Sequence, residues 1–464
     1  MHLNKFIILL TISFLFISCA SMQTQKQQYQ GIKEKIINND YAAAISQIKA
    51  AKEKFYKEKD RVVYYLDLGM LYHYNKQYQK SNEMLTKAEE AIDYLFTKSV
   101  SKAATSLLLN DNALAYSGED YEDIYLNIFK ALNYLEMNEF DAAFVEIRKI
   151  NNKLTKLSTK YTKLAHQFSK AEKAKTDFEA GENEFHNSAL GRYLSLLMYR
   201  TENQWDDVRI DYNKIKEAWN LQKHIYDFSK PDLKKAIQKT DKARLNLISF
   251  IGRSPSKRSK TLYIHTEKDL LIIAATKENP REKRNLEELD VINWKGIEKG
   301  YHFKFQLPFI YLNGSKAKKI KVYVDGKFTQ ELDLIESLEK VAVETFKVKK
   351  PLIYLKTISR SVIKGLVSEN AKSKMENQIN NPLLGFAARL ATDAAVDATE
   401  NADLRISRFF PAKCYIGEIY LQLGTYNLKI EYIGINGSVI NTEFKNNVEV
   451  NNNKLNLLET FYLQ

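Results

Sequence analysis

Apolar residues recur at helical spacing through the first half of the chain, most clearly in residues 121–148, YEDIYLNIFKALNYLEMNEFDAAFVEIR. Ile124, Ile128, Ala131, Leu132 and Leu135 form one apolar stripe, and Phe140, Ala143, Phe144 and Ile147 form a second. The spacing predicts two helices joined at Met137-Asn138-Glu139. The small residues Ala131 and Ala143 would let the helices approach closely, with Tyr134 and Phe140 filling the volume beside them.

Residues 62–92 carry the same arrangement in Tyr65, Leu68, Gly69, Tyr72, Tyr78, Ser81, Leu85 and Ala88. Upstream, Tyr41, Ala44, Ile48 and Ala51 fit a second helix of this type; downstream, Leu196, Tyr199, Trp205, Val208, Tyr212 and Ile215 give another copy with Val208 in the small position. This is the pattern of tetratricopeptide-type repeats. The intervals are irregular, and a long Lys-rich helix is expected over 151–179. The prediction is a solenoid of four helix hairpins with inserted helices, whose concave groove binds protein segments. Tyr64, Tyr65, Tyr72, His73, Tyr125 and Asn127 are the residues expected near that groove. Asn110-Asp111-Asn112 and Ser117-Gly118-Glu119-Asp120 are turn signals, with Ser117 or Asp120 able to cap the next helix.

From Trp219 to Ile251 the pattern reads as helical, interrupted at Ser229-Lys230-Pro231-Asp232. After the loop at 252–258 the texture becomes β-like: Thr261–His265, Leu270–Ala274, His302–Phe305 and Ile320–Val324, then Tyr415–Leu421, Thr425–Ile433, Val439–Phe444 and Leu455–Tyr462. Asp325-Gly326 and Asn436-Gly437 are hairpin signals. Helices are expected at Leu334–Glu344, Leu352–Asn377 and the alanine-rich Leu383–Ala398. The fold class predicted is therefore α+β and multidomain: helical repeats over 19–220, a helical linker over 221–255, and an α+β domain with a mostly antiparallel sheet over 256–464.

The beginning of the chain changes the picture of where this fold works. Lys5 precedes a twelve-residue apolar run from Phe6 to Ile17, then Ser18 and Cys19. A spanning helix needs about 20 apolar residues, so the run reads as a signal peptide, 1–18. Phe16-Ile17-Ser18-Cys19 fits a lipobox, which predicts diacylation of the Cys19 thiol and stable membrane anchoring. Ala20, where an aspartate would signal inner-membrane retention, points to the outer membrane facing the periplasm. Cys414 is then the one remaining thiol, so no internal disulfide is expected. Losing Lys5 from a leader without acids lowers the formal charge from +13 to +12. Export argues against nucleic acid as the partner of this basic chain, and most lysines read as solvated surface.

No GxSxG elbow, HExxH, GxxxxGK loop or paired CxxC is present, and the seven histidines are scattered singly, so no catalytic motif, cofactor or metal ligand set follows from spacing. The nearest polar constellation is Asp403, Arg405 and Arg408 before Pro411. In an extended segment Asp403 and Arg405 share a face, where an arginine can clamp a carboxylate or phosphate; a salt bridge holding the segment in place is the simpler expectation.

Taken together, YSGEDYEDIYLNIFKALNYLEMNEFDAAFVEIRKI, the loop with Pro255 and Lys257, HFKFQLPFI and ADLRISRFFPAKCYIGEIYLQLGTYNLKI resemble a family of uncharacterised bacterial lipoproteins with tetratricopeptide repeats, over residues 115–435. Members carry a tryptophan and leucine near Ser407-Arg408-Phe409-Phe410, where this chain departs. Genes of the family often neighbour those of lipoprotein activators of penicillin-binding proteins, which implies a part in cell-wall assembly. The expectation is a lipid-anchored envelope scaffold that binds protein partners and catalyses nothing. The alternatives are an envelope hydrolase or glycan-binding protein using Asp403, Arg405 and Glu418, and a structural subunit of a larger assembly.

Overall fold

The computed structural model describes residue 29 and residues 31–101, 111–169, 183–276, 286–294, 296–376, 401–452 and 455–464. The leader, Cys19 and the segment Leu383–Ala398 lie outside them. The described residues form an α+β structure with three four-stranded sheets. None of their helices is long and apolar enough to cross a membrane.

Residues 31–37 pair with α1 (Tyr41–Ala50); then α2 (Arg61–Tyr74) pairs with α3 (Tyr78–Ser101), α4 (Asp120–Glu136) with α5 (Phe140–Ser169), and α6 (Ala189–Thr201) with α7 (Trp205–Leu221). The four turns share one construction. Asn39, Lys76, Asn138 and Asn203 each adopt positive φ. Each donates its N–H to the carbonyl three residues back, and the next residue donates to the carbonyl five back, as in Gln77 to Tyr72 at 2.9 Å and Gln204 to Tyr199 at 2.9 Å. These are Schellman bonds, which satisfy carbonyls left over at a helix end. Two residues on, every second helix opens with an aromatic: Tyr41, Tyr78, Phe140 or Trp205. At the crossing of α2 and α3, a Cβ on Gly69 would lie 2.6 Å from Leu85 Cδ2, and the Ser81 hydroxyl donates to the Gly69 carbonyl at 2.8 Å.

The α4 start is capped differently from expectation. Its N-cap is Glu119, whose N–H is taken by the Glu122 carboxylate at 2.8 Å, rather than Ser117 or Asp120. In α5 the Lys-rich stretch simply continues the second helix of its hairpin to Ser169.

The first sheet runs β12-β1-β9-β8, from β1 (Ala243–Ile251), β8 (Asp333–Ser337), β9 (Lys413–Leu421) and β12 (Asn456–Tyr462); β1 and β12 are parallel. The second runs β11-β10-β6-β7, from β6 (Ala317–Val324), β7 (Lys327–Glu331), β10 (Gly424–Gly434) and β11 (Val439–Val450). The third runs β4-β3-β2-β5, from β2 (Ser256–Glu267), β3 (Leu270–Thr276), β4 (Leu286–Asn293) and β5 (His302–Tyr311). Along β1 the period-two alternation divides two cores. Ile248 and Phe250 pack on the helices with Cys414 and Ile416, while Leu245 and Leu247 face the second sheet with Ile320, Val322, Ile430 and Tyr432. The order of layers is thus helices, first sheet, second sheet.

Two sequence expectations are corrected here. Residues 221–255 are not a helical linker, because ARLNLISFI forms the central strand β1. Its residues are buried on both faces, and the alternation of Ala243-Arg244-Leu245-Asn246-Leu247 is lost at Leu247-Ile248, so the period does not separate strand from helix over the whole run. The helices expected at Leu334–Glu344 and Leu352–Asn377 are one helix, α8 (Leu338–Glu376), preceded by β8. It continues through Pro351, whose ring removes one backbone donor.

Candidate functional site

The inward face of α2 and α4 is covered by the chain's own strands, β8 and β12. The groove expected along Tyr65, Tyr72, His73, Tyr125 and Asn127 is therefore not an open surface. Tyr125 is fully buried, and its hydroxyl donates to Glu336 on β8. His73 is 1% exposed, with Nδ1 2.6 Å from Asn133 Oδ1 and Nε2 3.1 Å from Glu459 Oε1 on β12. Burial opposes the imidazolium, yet the Glu459 carboxylate raises the His73 pKa above its usual value. Asn127 points into the helix layer, bonding Glu89 and Glu146. Tyr72 is buried beside Lys80, and Tyr65 is half-buried against Tyr64. Glu336 receives, besides Tyr125, the Ser188 hydroxyl at 2.8 Å, the Tyr226 hydroxyl at 2.9 Å and the Leu190 N–H at 2.9 Å. Sequence periodicity places the inward-facing residues of α2 and α4; it says nothing of a sheet from the far end of the chain.

The Asp403-Arg405-Arg408 segment threads between α2 and α4. Arg405 is bound to Asp403 at 2.8 Å, to Asp60 at 3.0 Å and to the Asp111 carbonyl at 2.8 Å. Burial raises the Asp403 pKa, but the adjacent guanidinium outweighs it and holds the carboxyl well below its usual range. The fork that was to clamp an anion is spent on the protein's own carboxylates. Two buried acids also hold this segment. Asp67 accepts from the Ser407 hydroxyl at 2.9 Å and the Tyr29 hydroxyl at 2.6 Å; Glu122 accepts from the Ser407 N–H at 2.5 Å. Burial pushes Asp67 up to about 6 and Glu122 up to about 7. Arg408 lies over the Tyr29 ring, 4.4 Å from its centroid. Glu418, the third residue of the hydrolase alternative, is bound by Arg200 at 2.6 Å and Arg244 at 2.8 Å.

What remains open is a cleft of about 1120 Å³ between the third sheet and α8. On the strands, alternate residues face it: Lys260 and Leu262 on β2, and Phe305, Leu307 and Phe309 on β5, with Trp294 after β4. Across the gap, α8 presents Val343, Phe346, Lys347, Lys350 and Tyr354, one stripe at three- and four-residue steps. Leu262, Phe305, Leu307 and Trp294 form a buried apolar floor, whereas Lys260, Lys347 and Lys350 are exposed at the rim. Among the described residues the lining holds three lysines and no acid. The opposite side of α8 is fixed to the helix pairs by Lys349, 3.1 Å from Glu119, and by Lys356, 2.7 Å from Asp111. Glu119 holds the Lys349 pKa up at about 12 against the opposing effect of burial. One wall of the cleft is therefore rigidly mounted. A second cavity, of about 720 Å³, lies between α3, α4 and α5, and Glu89, Asp123, Lys149 and Lys153 in its wall are already paired with one another.

Sequence reading missed the cleft because it broke α8 near Pro351 and so split the stripe. The signal was present in the 343-346-347-350-354 spacing. Comparisons with protein-family models, with curated proteins and with solved structures find no match.

Proposed function

We propose that the chain is a lipid-anchored cell-envelope binding protein, in which tetratricopeptide-like hairpins act as a frame and the cleft beside α8 takes the ligand. The four Schellman turns, the aromatic after each and the small residue at the Gly69 crossing support the repeat assignment. Filling of the concave face by β12, β1, β9 and β8 moves the binding surface away from the repeats. The observation that carries the reading is the charge and polarity of the cleft: an apolar floor and, among the described residues, three lysines at the rim and no acid. Its volume lies just above the roughly 300–1,000 Å³ of small-molecule sites. The occupant that fits is an anionic amphiphile, its apolar body on Leu262, Phe305 and Leu307 and its acidic group among Lys260, Lys347 and Lys350. The lysine stems cover apolar surface while their ammonium groups meet the head. The action is binding without turnover.

The test is titration of the full chain with phosphatidylglycerol and phosphatidylcholine micelles, read through tryptophan fluorescence. Anionic lipid is expected to bind more tightly, and Lys260→Glu with Lys350→Glu to abolish that preference while circular dichroism stays unchanged. Equal affinity for both lipids, or a preference that survives charge reversal, would overturn the assignment.

A further inference from the structure

Apart from the cleft, three side chains from separate parts of the chain converge where α8 meets the end of α7. Glu184 precedes α6, His224 follows α7, and Glu344 sits in the second turn of α8. Nε2 of His224 lies 3.2 Å from Glu184 Oε2 and 3.2 Å from Glu344 Oε2, and the three ligand atoms lie within 4.8 Å of one another. The Glu344 side chain is 3% exposed, His224 is 35% exposed and Glu184 is 57% exposed.

A hydrogen-bonding account of this arrangement is incomplete. Nε2 carries at most one hydrogen, yet two carboxylates approach it equally, each farther than the roughly 2.7–2.9 Å of a charge-assisted bond. The contacts also bring two carboxylates to one imidazole, with Lys347 beside Glu344 as the second cation of the group. The distances match a different geometry. Ligands about 2.0–2.2 Å from a tetrahedral zinc-type ion are separated by edges of about 3.3–3.5 Å. The two His224–carboxylate distances of 3.2 Å fit edges of such a tetrahedron, and the exposed side of Glu184 and His224 leaves the fourth position to water.

We propose that Glu184, His224 and Glu344 form a binding site for a divalent transition ion of the zinc class. One imidazole and two carboxylates suit a borderline ion, whereas calcium and magnesium take oxygen ligands throughout. Lys347 is the internal competitor. Its Nζ lies 2.9 Å from the same Glu344 Oε2 that faces His224, so an ion must displace that cation. Lys347 also lines the cleft, so an anion bound there and an ion at Glu344 draw on the same lysine; the His224 and Glu184 variants leave the cleft lining unchanged and separate the two readings.

The test uses full-length protein stripped with chelator and titrated with Zn²⁺ by calorimetry, and with Co²⁺ by visible absorption. One equivalent is expected to bind, with a Co²⁺ band of tetrahedral nitrogen–oxygen character. Loss of an outer partner of a metal ligand typically weakens binding about 10–100-fold, so His224→Gln and Glu184→Gln, both at exposed positions, should weaken it by no less. Lys347→Met should tighten it by removing the competing cation. Calcium should not compete. Zn²⁺ affinity unchanged in both ligand variants would show an adventitious ion only and overturn the site, as would a Lys347→Met variant that binds more weakly than the wild type.

Discussion

Tyr125 decides between a groove for partners and a concave face closed by the chain's own sheet. Its hydroxyl is one of four donors to the buried Glu336 carboxylate, the others coming from Ser188, Leu190 and Tyr226. Tyr125→Phe leaves the ring in place and removes that one bond. A hydrogen bond to a charged group contributes about 1.5–3 kcal/mol, and three donors remain, so a loss of about 2 kcal/mol follows. Burial raises the Glu336 pKa while its donors hold it down. Without Tyr125 it rises further, so the loss is full where Glu336 is ionised and shrinks as pH falls into the carboxyl range. Urea unfolding at pH 8 and pH 5, followed by circular dichroism and tryptophan fluorescence, measures both effects. The two probes should move together, because helices and first sheet share one core. Combining the change with Tyr226→Phe should be non-additive, since both hydroxyls meet one carboxylate. An unchanged urea midpoint at pH 8 would refute the reasoning and return Tyr125 to the role of a surface residue.

Three further outcomes follow from the same contacts. Asp67, raised by burial from 3.8 to about 6, and Glu122, raised from 4.5 to about 7, hold protons in the folded state that the unfolded chain has released, so each contributes stability that is lost as pH rises from about 4 to 7. The double variant Asp67→Asn, Glu122→Gln should lose that slope, of order 2–3 kcal/mol per group at about 1.4 kcal/mol per pH unit, as read by urea midpoints against pH. Arg405→Met strips the partner from the buried Asp60 and the half-buried Asp403, and should destabilise by about 3–5 kcal/mol in equilibrium unfolding. Gly69→Ala places a methyl 2.6 Å from Leu85 Cδ2 and should cost about 1–3 kcal/mol; combined with Leu85→Ala, the total loss in thermal unfolding should fall short of the sum.

The helix pairs were legible because their turns, aromatics and small residues lie within a few tens of residues of one another. The eight strands expected in the second half are all strands, since each alternates or ends at a turn such as Asp325-Gly326. β1 hid because its polar residues, Arg244 and Asn246 on one face and Ser249 on the other, mark no single polar side. The assignment of Tyr125 and His73 to a groove identified the inward face of the helices, but its occupant, β8 and β12, lies hundreds of residues away. Asp403 and Arg405 were legible as a pair, whereas Asp60 and Asp111 beside them were not. The Glu184-His224-Glu344 cluster depends on tertiary placement of α8 and left no local spacing to read, whereas the cleft left a stripe on α8 but no sign of the strands that face it.

The parallel pairing of β1 with β12 sets an order of assembly. On one edge of β1, Leu245 to Ile251 pair with Asn456 to Tyr462, and His73 meets Glu459 on that same strand. Closing a loop of that length costs chain entropy before any contact repays it, so such pairings form slowly. Until β12 arrives, α2 exposes the ring of Tyr74 that Phe461 later covers, 4.8 Å between centroids. The helix pairs can therefore form early and still remain sticky, and the last strand to dock is the one that turns them from an adhesive surface into an interior.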